Sequence, residues 1–419
     1  MRSFGCSIRT SSVFAALIAS AACSSTNDTT TDSGTNGPPD AATTDSGDAS
    51  QGAVDASPQS NADASGAASF SPSNVPWPDF SSLGDVTITG SCTIDTDALA
   101  FNGLCGISEL GDGGQPYAFA SATQSDQSSV TVLALGSLTV TQAAQVAVQG
   151  SVPLVIVSGS TVSIQGPIIA TQPLDGPNGG GFACTATGQG GGPGGGGAGQ
   201  GYYVGGGGGG YCGVGGTGAN SSAPDSGVGT AGGVAYGSGS LVPLTGGSAG
   251  GGGSGAPGGG GRGGGAIQIT AVTSILVGTG GIVSVPGNGA TDNGGGGGSG
   301  GAILLEAPTV DVQGILAANG GAANEFNGGG TAPSGQASTV AAVNNGDPQS
   351  GTGAAGATIN GGNGSSVGPN ATGGGGGAAG RIRLNSASAI ATLGTNATVS
   401  PSATTTCVSQ GVLIPLRGM

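Results

Sequence analysis

Short stretches of alternating apolar and polar residues recur along the chain, and each is followed by a corner and a glycine. In the stretch 302–306, Ile303 and Leu305 share one face, because successive side chains of a strand point to opposite faces. Aligning the copies gives two columns of branched aliphatics, namely Ile267, Ile303, Ile382 and Ile269, Leu305, Leu384. We expect these columns to point inward and the intervening column, Gln268, Leu304 and Arg383, to point outward.

The recurrence of this strand-corner-strand unit predicts an all-β, stacked architecture. One unit cannot bury its apolar face alone, whereas stacked units share a continuous core. Glycine-rich inserts near 175–265, 287–301 and 319–379 separate the units. A β-sandwich with long loops is the alternative fold. The segment Val75–Phe80, which contains Trp77, is expected to cover an end of the stack.

The N-terminus has the features of an export signal, with two arginines followed by a short apolar run. The run is half the ~20 residues that a membrane span needs. The residues Ser20-Ala-Ala-Cys23 resemble the lipobox of bacterial lipoproteins, which implies a signal peptide over 1–22 and a lipidated Cys23. Ser24, rather than aspartate, then implies lipid anchoring in the outer membrane, surface-exposed or facing the periplasm. An ordinary signal peptide is the alternative.

Residues 23–74 are rich in Ser, Thr, Asp and Ala, and no aromatic residue occurs there before Phe70. Low hydrophobicity together with charge of one sign disfavours collapse. We therefore predict a disordered tether over 23–74, followed by a glycine-rich domain over 75–419.

The body of the chain resembles right-handed parallel β-helix proteins. The resemblance rests on the Gly-Gly-Ala-Ile strand at 300–303, the Thr-Val-x-Val-x-Gly turn at 309–314 and the glycine runs between such units. It is nearest to glycine-rich surface lipoproteins of Gram-negative bacteria and extends to pectate-lyase-like and adhesin helices. It implies a right-handed parallel β-helix (β-solenoid) over about residues 85–400.

The charge and composition narrow the function. The 419 residues contain no lysine and no histidine, and the formal net charge is −15. Nucleic-acid binding is excluded, because it requires Lys and Arg to displace counterions from phosphates. Without histidine or lysine, the commonest general bases are missing, so we predict no catalytic residues, no metal site and no cofactor.

Two pairs of charged residues are candidates for a catalytic or binding role. Asp95 and Asp97 share one strand face, which suits a catalytic or calcium-binding pair, although a solvated face is the simpler interpretation. Arg381 and Arg383 also share one face. We expect them to form salt bridges with Glu306 or Asp311 or to cover the end of the stack, rather than to bind an anion.

The glycine runs do not form nucleotide-binding loops, because no Gly-Lys-Ser/Thr follows them. The acidic loops at 291–294 and 345–347 offer at most weak calcium binding, because they lack the nonapeptide repeat of calcium-binding β-rolls.

Five cysteines follow Cys23, and an exported protein is expected to form disulfides. The nearest neighbours in sequence are Cys92 with Cys105 and Cys184 with Cys212. Cys407 is then left over, and the sequence alone leaves the pairing open.

Tyr202, Tyr203 and Tyr211 flank a glycine run, where they serve either as adhesive contacts or as a local anchor.

Two function classes follow from these observations. The first is a cell-surface lipoprotein that acts as a non-enzymatic structural or adhesive module, with extracellular polysaccharide or other cell-surface proteins as partners and the membrane reached through the N-terminal lipid. The alternative is a β-helical carbohydrate-active enzyme, which would require a cluster of acidic side chains beside Arg381 or Arg383.

Overall fold

The computed structural model describes residues 69–108, 114–170, 181–185, 188–222, 227–253, 259–326, 330–344, 346, 348–368 and 371–416. These residues form β-strands and turns without an α-helix, so no helix among them is suited to span a membrane. Cys23, the predicted signal peptide and the predicted tether up to residue 68 lie outside the described residues, whereas residues 69–74 at the end of the predicted tether are described and include the buried Phe70. The strands are β1 (Phe70–Ser71), β2 (Asp85–Ile88), β3 (Ser91–Asp95), β4 (Ala100–Gly103), β5 (Tyr117–Thr123), β6 (Ser129–Leu135), β7 (Ser137–Val140), β8 (Gln145–Gln149), β9 (Leu154–Ser158), β10 (Thr161–Ile164), β11 (Pro167–Ile169), β12 (Ala266–Ala271), β13 (Ser274–Val277), β14 (Ile282–Ser284), β15 (Ala302–Glu306), β16 (Thr309–Val312), β17 (Ile315–Ala317), β18 (Ser366–Gly368), β19 (Ala371–Thr372), β20 (Arg381–Ser386), β21 (Thr392–Leu393), β22 (Thr398–Ser400), β23 (Val408–Val412) and β24 (Ile414–Pro415).

Three large sheets contain most of these strands. Sheet 1 has the order β2-β7-β10-β13-β16-β21, sheet 2 has the order β22-β17-β14-β11-β8-β3-β4, and sheet 3 has the order β23-β20-β15-β12-β9-β6-β5. All pairings in sheet 1 are parallel. β4 and β5 pair antiparallel with β3 and β6, at one edge of sheets 2 and 3.

The predicted right-handed parallel β-helix is wrong in this form. The described residues form stacked sheets, two of them with an antiparallel edge strand, and no closed solenoid is seen among them. From sheet 2 to sheet 3 the chain runs three times through long glycine-rich segments, between β11 and β12, β14 and β15, and β17 and β20. The alternation of side chains indicates which strands pair with one another. It carries no information on the path of the segments that connect one sheet to the next.

The predicted inward columns are confirmed. Ile267, Ile303 and Ile382 stand in register in β12, β15 and β20, and all three are buried. They belong to a core that also contains the inward residues of sheets 1 and 2.

The column that was expected to point outward is not exposed to water. Gln268 and Leu304 are fully buried, and Arg383 is half-buried. Leu304 belongs to a second apolar cluster on the outer face of sheet 3, where Val155, Tyr211 and Leu241 also lie. The alternation placed Leu304 on the correct face, but a second layer of chain covers that face.

Part of that layer is the segment 69–80, named here the N-terminal strap. β1 of the strap pairs antiparallel with β24, and Val75 is buried in the second cluster. Trp77 packs edge-on against Phe70 and Phe80 at centroid distances of 5.1 and 5.9 Å. Val75 and Trp77 therefore pack with the outer-face cluster of sheet 3, which is not the predicted cover over the end of the stack.

Candidate ligand-binding surface on the glycine lattice

The glycine-rich segments pack against one another as a hydrogen-bonded body, here called the glycine lattice. Hydrogen-bond partners recur at every third residue, which is the period of a polyproline II helix, a conformation without internal hydrogen bonds. The lattice comprises 190–220, 227–234, 246–253, 259–265, 285–301, 318–324, 351–364 and 373–380. Gly206 and Gly209 donate to Gly294 and Gly297, whereas Gly207 and Gly210 donate to Gly197 and Gly194.

Side chains are excluded from the inside of this lattice. A Cβ atom on Gly208 would lie 1.9 Å from the carbonyl oxygen of Gly376, and a Cβ atom on Gly296 would lie 2.1 Å from that of Gly207. Only glycine allows backbones to approach so closely. The segments are therefore part of the packed interior, and their buried N–H groups find backbone partners, as burial requires.

One end of the lattice is anchored on sheet 3 by Tyr211. The ring is buried, its hydroxyl donates to the Thr245 carbonyl oxygen at 2.8 Å, and it packs on Tyr236 at 4.7 Å. The guanidinium carbon of Arg381 lies 5.7 Å from the Tyr211 ring centroid, and Arg381 donates to the Tyr236 carbonyl oxygen. Burial raises the pKa of both phenols. Tyr211 is thus an anchor.

Tyr202 and Tyr203 lie at the opposite end of the same segment, where they form the aromatic tip together with Phe326. Tyr203 meets Phe326 edge-on at 4.8 Å, and the ring centroids of Tyr202 and Tyr203 are 6.3 Å apart. Tyr202 remains 73% exposed. Six residues separate Val204 from Tyr211, so at ~3.1 Å per residue the tip stands roughly 20 Å from the anchored end.

The backbone at the tip is strained and well supported. Tyr203 has a φ of 60° and Asn293 a φ of 38°, in the left-handed region that non-glycine residues rarely adopt. The Thr372 hydroxyl donates to the Tyr203 carbonyl oxygen at 2.7 Å, and Phe326 donates its N–H to the Thr372 carbonyl. Strain of this kind persists only where the surroundings impose it, and it is concentrated at functional sites.

The outer side of the lattice carries three rows of exposed side chains, here called the ridged face. Within each row a side chain emerges at every third position, where a threefold helix returns to the same side. The rows are Val214–Thr217–Asn220, Val228–Ala231–Val234 and Asn360–Asn363–Ser366. Asn360 and Asn363 accept the N–H groups of Val214 and Thr217 at 3.0 and 2.9 Å, which joins two of the rows.

The acidic residues singled out in the sequence have local structural roles. Asp95 caps its own turn by accepting the N–H groups of Asp97 and Ala98, while Asp97 accepts both the N–H and the hydroxyl of Ser151. No group of three or more His, Cys, Asp or Glu placed to hold a metal ion occurs in the described part of the chain. Asp292 is exposed at a turn of the lattice, whereas residues 345 and 347 lie outside the described residues.

The two arginines do not form the predicted ion pairs. Arg381 binds the Tyr236 carbonyl, and Arg383 donates to the Asn385 side chain and to the Gln410 carbonyl. Burial lowers the pKa of Arg383, and the charge of Glu306 opposes this shift. Backbone carbonyls of neighbouring segments, which the sequence pattern cannot locate, take the place of the expected carboxylates.

Only one of the two pairs of cysteines that are nearest in sequence forms a disulfide. Cys92 is bonded to Cys105 as expected from their separation of 13 residues. Cys212 is bonded to Cys407, 195 residues away, and Cys184 is a free thiol that donates to the carbonyl oxygens of Gly250 and Gly260. The candidate pair Cys184 and Cys212 is therefore not bonded, because the lattice carries Cys212 beside the C-terminal strands. Burial raises the pKa of the Cys184 thiol.

No family model, curated protein or solved structure matches this chain. The geometry of the aromatic tip and the ridged face is therefore the basis for a functional proposal. The ridged face was not predicted, although its signal is present in the sequence as side chains spaced three apart among glycines, as in Val214-Gly-Gly-Thr217 and Asn360-Gly-Gly-Asn363.

Proposed function

We propose that this chain is a non-enzymatic, surface-attached adhesive module that presents the aromatic tip to its partner. The supporting observation is the exposure of Tyr202, at 73%, on a lattice whose opposite end is fixed by the buried Tyr211. Tyrosine offers a large contact area at a low cost in side-chain entropy. A rigid support lowers that cost further, because the tip is ordered before it binds.

The proposed attachment uses an acylated Cys23 and, as a tether, the polar segment 24–68 that precedes the N-terminal strap. More than one acyl chain gives stable anchoring. A tether of 45 residues that behaves as a flexible coil would span roughly 37 Å, which would hold the folded body away from the lipid. Extracellular polysaccharide or another cell-surface protein is the proposed partner.

The alternative function, a carbohydrate-active enzyme, lacks a supporting observation. It would require acidic side chains gathered beside Arg381 or Arg383. Arg381 instead contacts Tyr211 and the Tyr236 carbonyl, and Asp95 and Asp97 cap turns.

Attachment of the full chain to cells and to immobilised surface polysaccharide tests the adhesive function. Tyr202→Ala combined with Phe326→Ala should weaken retention roughly tenfold, because buried aromatic contacts of an interface are worth more than ~1 kcal/mol each. Ile390→Ala is the matched control, since Ile390 is 72% exposed and lies outside the lattice. Retention that is equal in the double variant and the control would overturn the assignment of the tip.

The lipid anchor is tested separately. Cys23→Ser should leave an unprocessed or released chain that no longer enters the detergent phase of a Triton X-114 extraction. Cys6→Ser, which changes a cysteine of the signal peptide, should leave partitioning unchanged. Normal partitioning of Cys23→Ser would contradict the anchor without affecting the tip.

A further inference from the structure

A groove of 520 Å³ lies on the ridged face. Its walls are the segments 217–220, 228–231 and 364–366. The first wall is hydrogen-bonded to both others, because Gly218 donates to the Thr230 carbonyl and Gly364 donates to the Thr217 carbonyl. The volume is within the range of sites that hold small molecules or one segment of a polymer.

Among the described residues, the lining of the groove is polar and uncharged. Thr217, Asn220, Ser365 and Ser366 supply hydroxyl and amide groups, and Val228, 71% exposed, supplies an apolar surface. Within the described part of the chain, no hydrogen bond engages the Thr217 hydroxyl or the Asn220 amide nitrogen. A pyranose ring presents a matching mixture of hydroxyl groups and C–H faces. A net charge of −15 disfavours an anionic ligand.

The rows also favour a linear, repeating ligand. Side chains three residues apart on a threefold helix emerge on one side, roughly 9 Å apart. Thr217 and Asn220 have this spacing on one wall, and Val228 and Ala231 have it on the next. An extended polysaccharide also presents the same groups at regular intervals along one line.

The groove lies beside the aromatic tip. Ala219 of the first wall accepts the N–H of Gly205, and Ser365 of the third wall accepts the N–H of Gly373. Gly205 and Gly373 directly follow Val204 and Thr372, which lie next to the tip. A polymer chain that lies in the groove can therefore continue onto the exposed ring of Tyr202.

We infer that the groove of the ridged face binds a neutral polysaccharide chain. This inference rests on the proposed adhesive function and names its ligand class. The Thr217 hydroxyl and the Asn220 side-chain amide form hydrogen bonds with sugar hydroxyl groups, and Val228 packs on the C–H face of a ring.

Affinity electrophoresis of the full chain through gels that contain a polysaccharide tests this inference. The probes are xyloglucan and dextran as neutral chains and polygalacturonate as an anionic chain. At least one neutral chain should retard the protein, and Thr217→Trp, which fills the groove from an exposed position, should weaken that retardation at least tenfold. Thr404→Trp is the control, because Thr404 is exposed outside the lattice.

The outcomes separate the ligand class from the adhesive function. Retardation by polygalacturonate that equals or exceeds that by the neutral chains overturns the inference. Cell attachment that depends on Tyr202, without retardation by either neutral chain, overturns it as well and leaves the adhesive function standing. Retardation by a neutral chain that is lost in Thr217→Trp supports the inference, even where attachment to cells is absent.

Discussion

Ser73 and Glu306 are 233 residues apart in sequence, yet the Ser73 N–H donates to the Glu306 carboxylate at 3.0 Å and the Ser73 hydroxyl donates to its other oxygen. Glu306 is 1% exposed. The side chains of Gln268, Thr270 and Asn385 donate to the same carboxylate. One buried group thus joins the N-terminal strap to three strands of sheet 3.

Replacing this acceptor should destabilise the fold. Glu306→Gln replaces a carboxylate oxygen with an amide donor, so at least one of the surrounding donors loses its partner. An unsatisfied buried donor costs about 1–3 kcal/mol, and we expect a loss of roughly 2 kcal/mol or more in urea unfolding. Asp85→Asn is the control, because Asp85 is exposed and accepts from the Ser137 hydroxyl. Equal midpoints of the two variants would contradict the role of Glu306.

Because a second layer of chain covers the outer face of sheet 3, a charge at Leu304 should destabilise the fold as much as a charge at the inward Leu305. Both Leu304 and Leu305 are fully buried, on opposite faces of β15. Leu304→Asp and Leu305→Asp should therefore each cost roughly 3 kcal/mol or more, because each buries a carboxylate without a partner. Thr161→Asp, at an exposed position of β10, should change the free energy of unfolding little. A Leu304→Asp variant as stable as Thr161→Asp would mean that the layer does not cover this face.

Close packing of glycines predicts a position-specific effect of alanine. Gly208→Ala places a methyl group 1.9 Å from the Gly376 carbonyl oxygen, and the backbones must separate. Overpacking of this kind costs about 1–3 kcal/mol. A Cβ on Gly239 meets nothing within 4 Å, so Gly239→Ala should leave the thermal midpoint unchanged. Differential scanning calorimetry measures the thermal midpoint of both variants. Equal midpoints of Gly208→Ala and Gly239→Ala would show that the glycine segments are mobile loops and not a packed lattice.

Alkaline pH should unfold the protein through Tyr211 and Tyr236. Burial raises the pKa of both phenols in the folded state. Below pH about 10 both states keep the proton and stability is constant. Above it only the unfolded chain releases the proton, so the free energy of unfolding falls by up to about 1.4 kcal/mol per pH unit for each tyrosine.

Tyr211→Phe should reduce this alkaline slope by one tyrosine, although loss of the bond to Thr245 lowers stability at neutral pH by about 1 kcal/mol. Urea unfolding at pH 8 and pH 11 measures the difference. An unchanged slope would show that the Tyr211 phenol ionises freely in the folded protein.

The sequence predicted the strands well because alternation reports which face of the strand each side chain takes. Ile303 and Leu305 lie where the pattern placed them, and the register between β12, β15 and β20 follows the aligned columns. The cover over Leu304 was not predictable, since the strap and the residues around Leu241 contribute to it from distant parts of the chain.

The candidate site was predicted only in part. The sequence left Tyr202 and Tyr211 as either adhesive contacts or a local anchor. The structure shows Tyr211 buried as an anchor and Tyr202 exposed, and an adhesive role of Tyr202 stays a proposal. The partner of Cys212 was not predictable from spacing, because the lattice rather than the local chain carries it to Cys407.

The hydrogen bonds of segment 205–210 constrain the order in which the protein folds. Gly375 donates to Gly206 and Ala378 donates to Gly209, so this central segment has partners that are synthesised about 170 residues later. Contacts of such long range form late, because loop closure must come first. A nascent chain that ends before residue 373 lacks these partners, so the lattice is completed only after segment 373–380 has been synthesised.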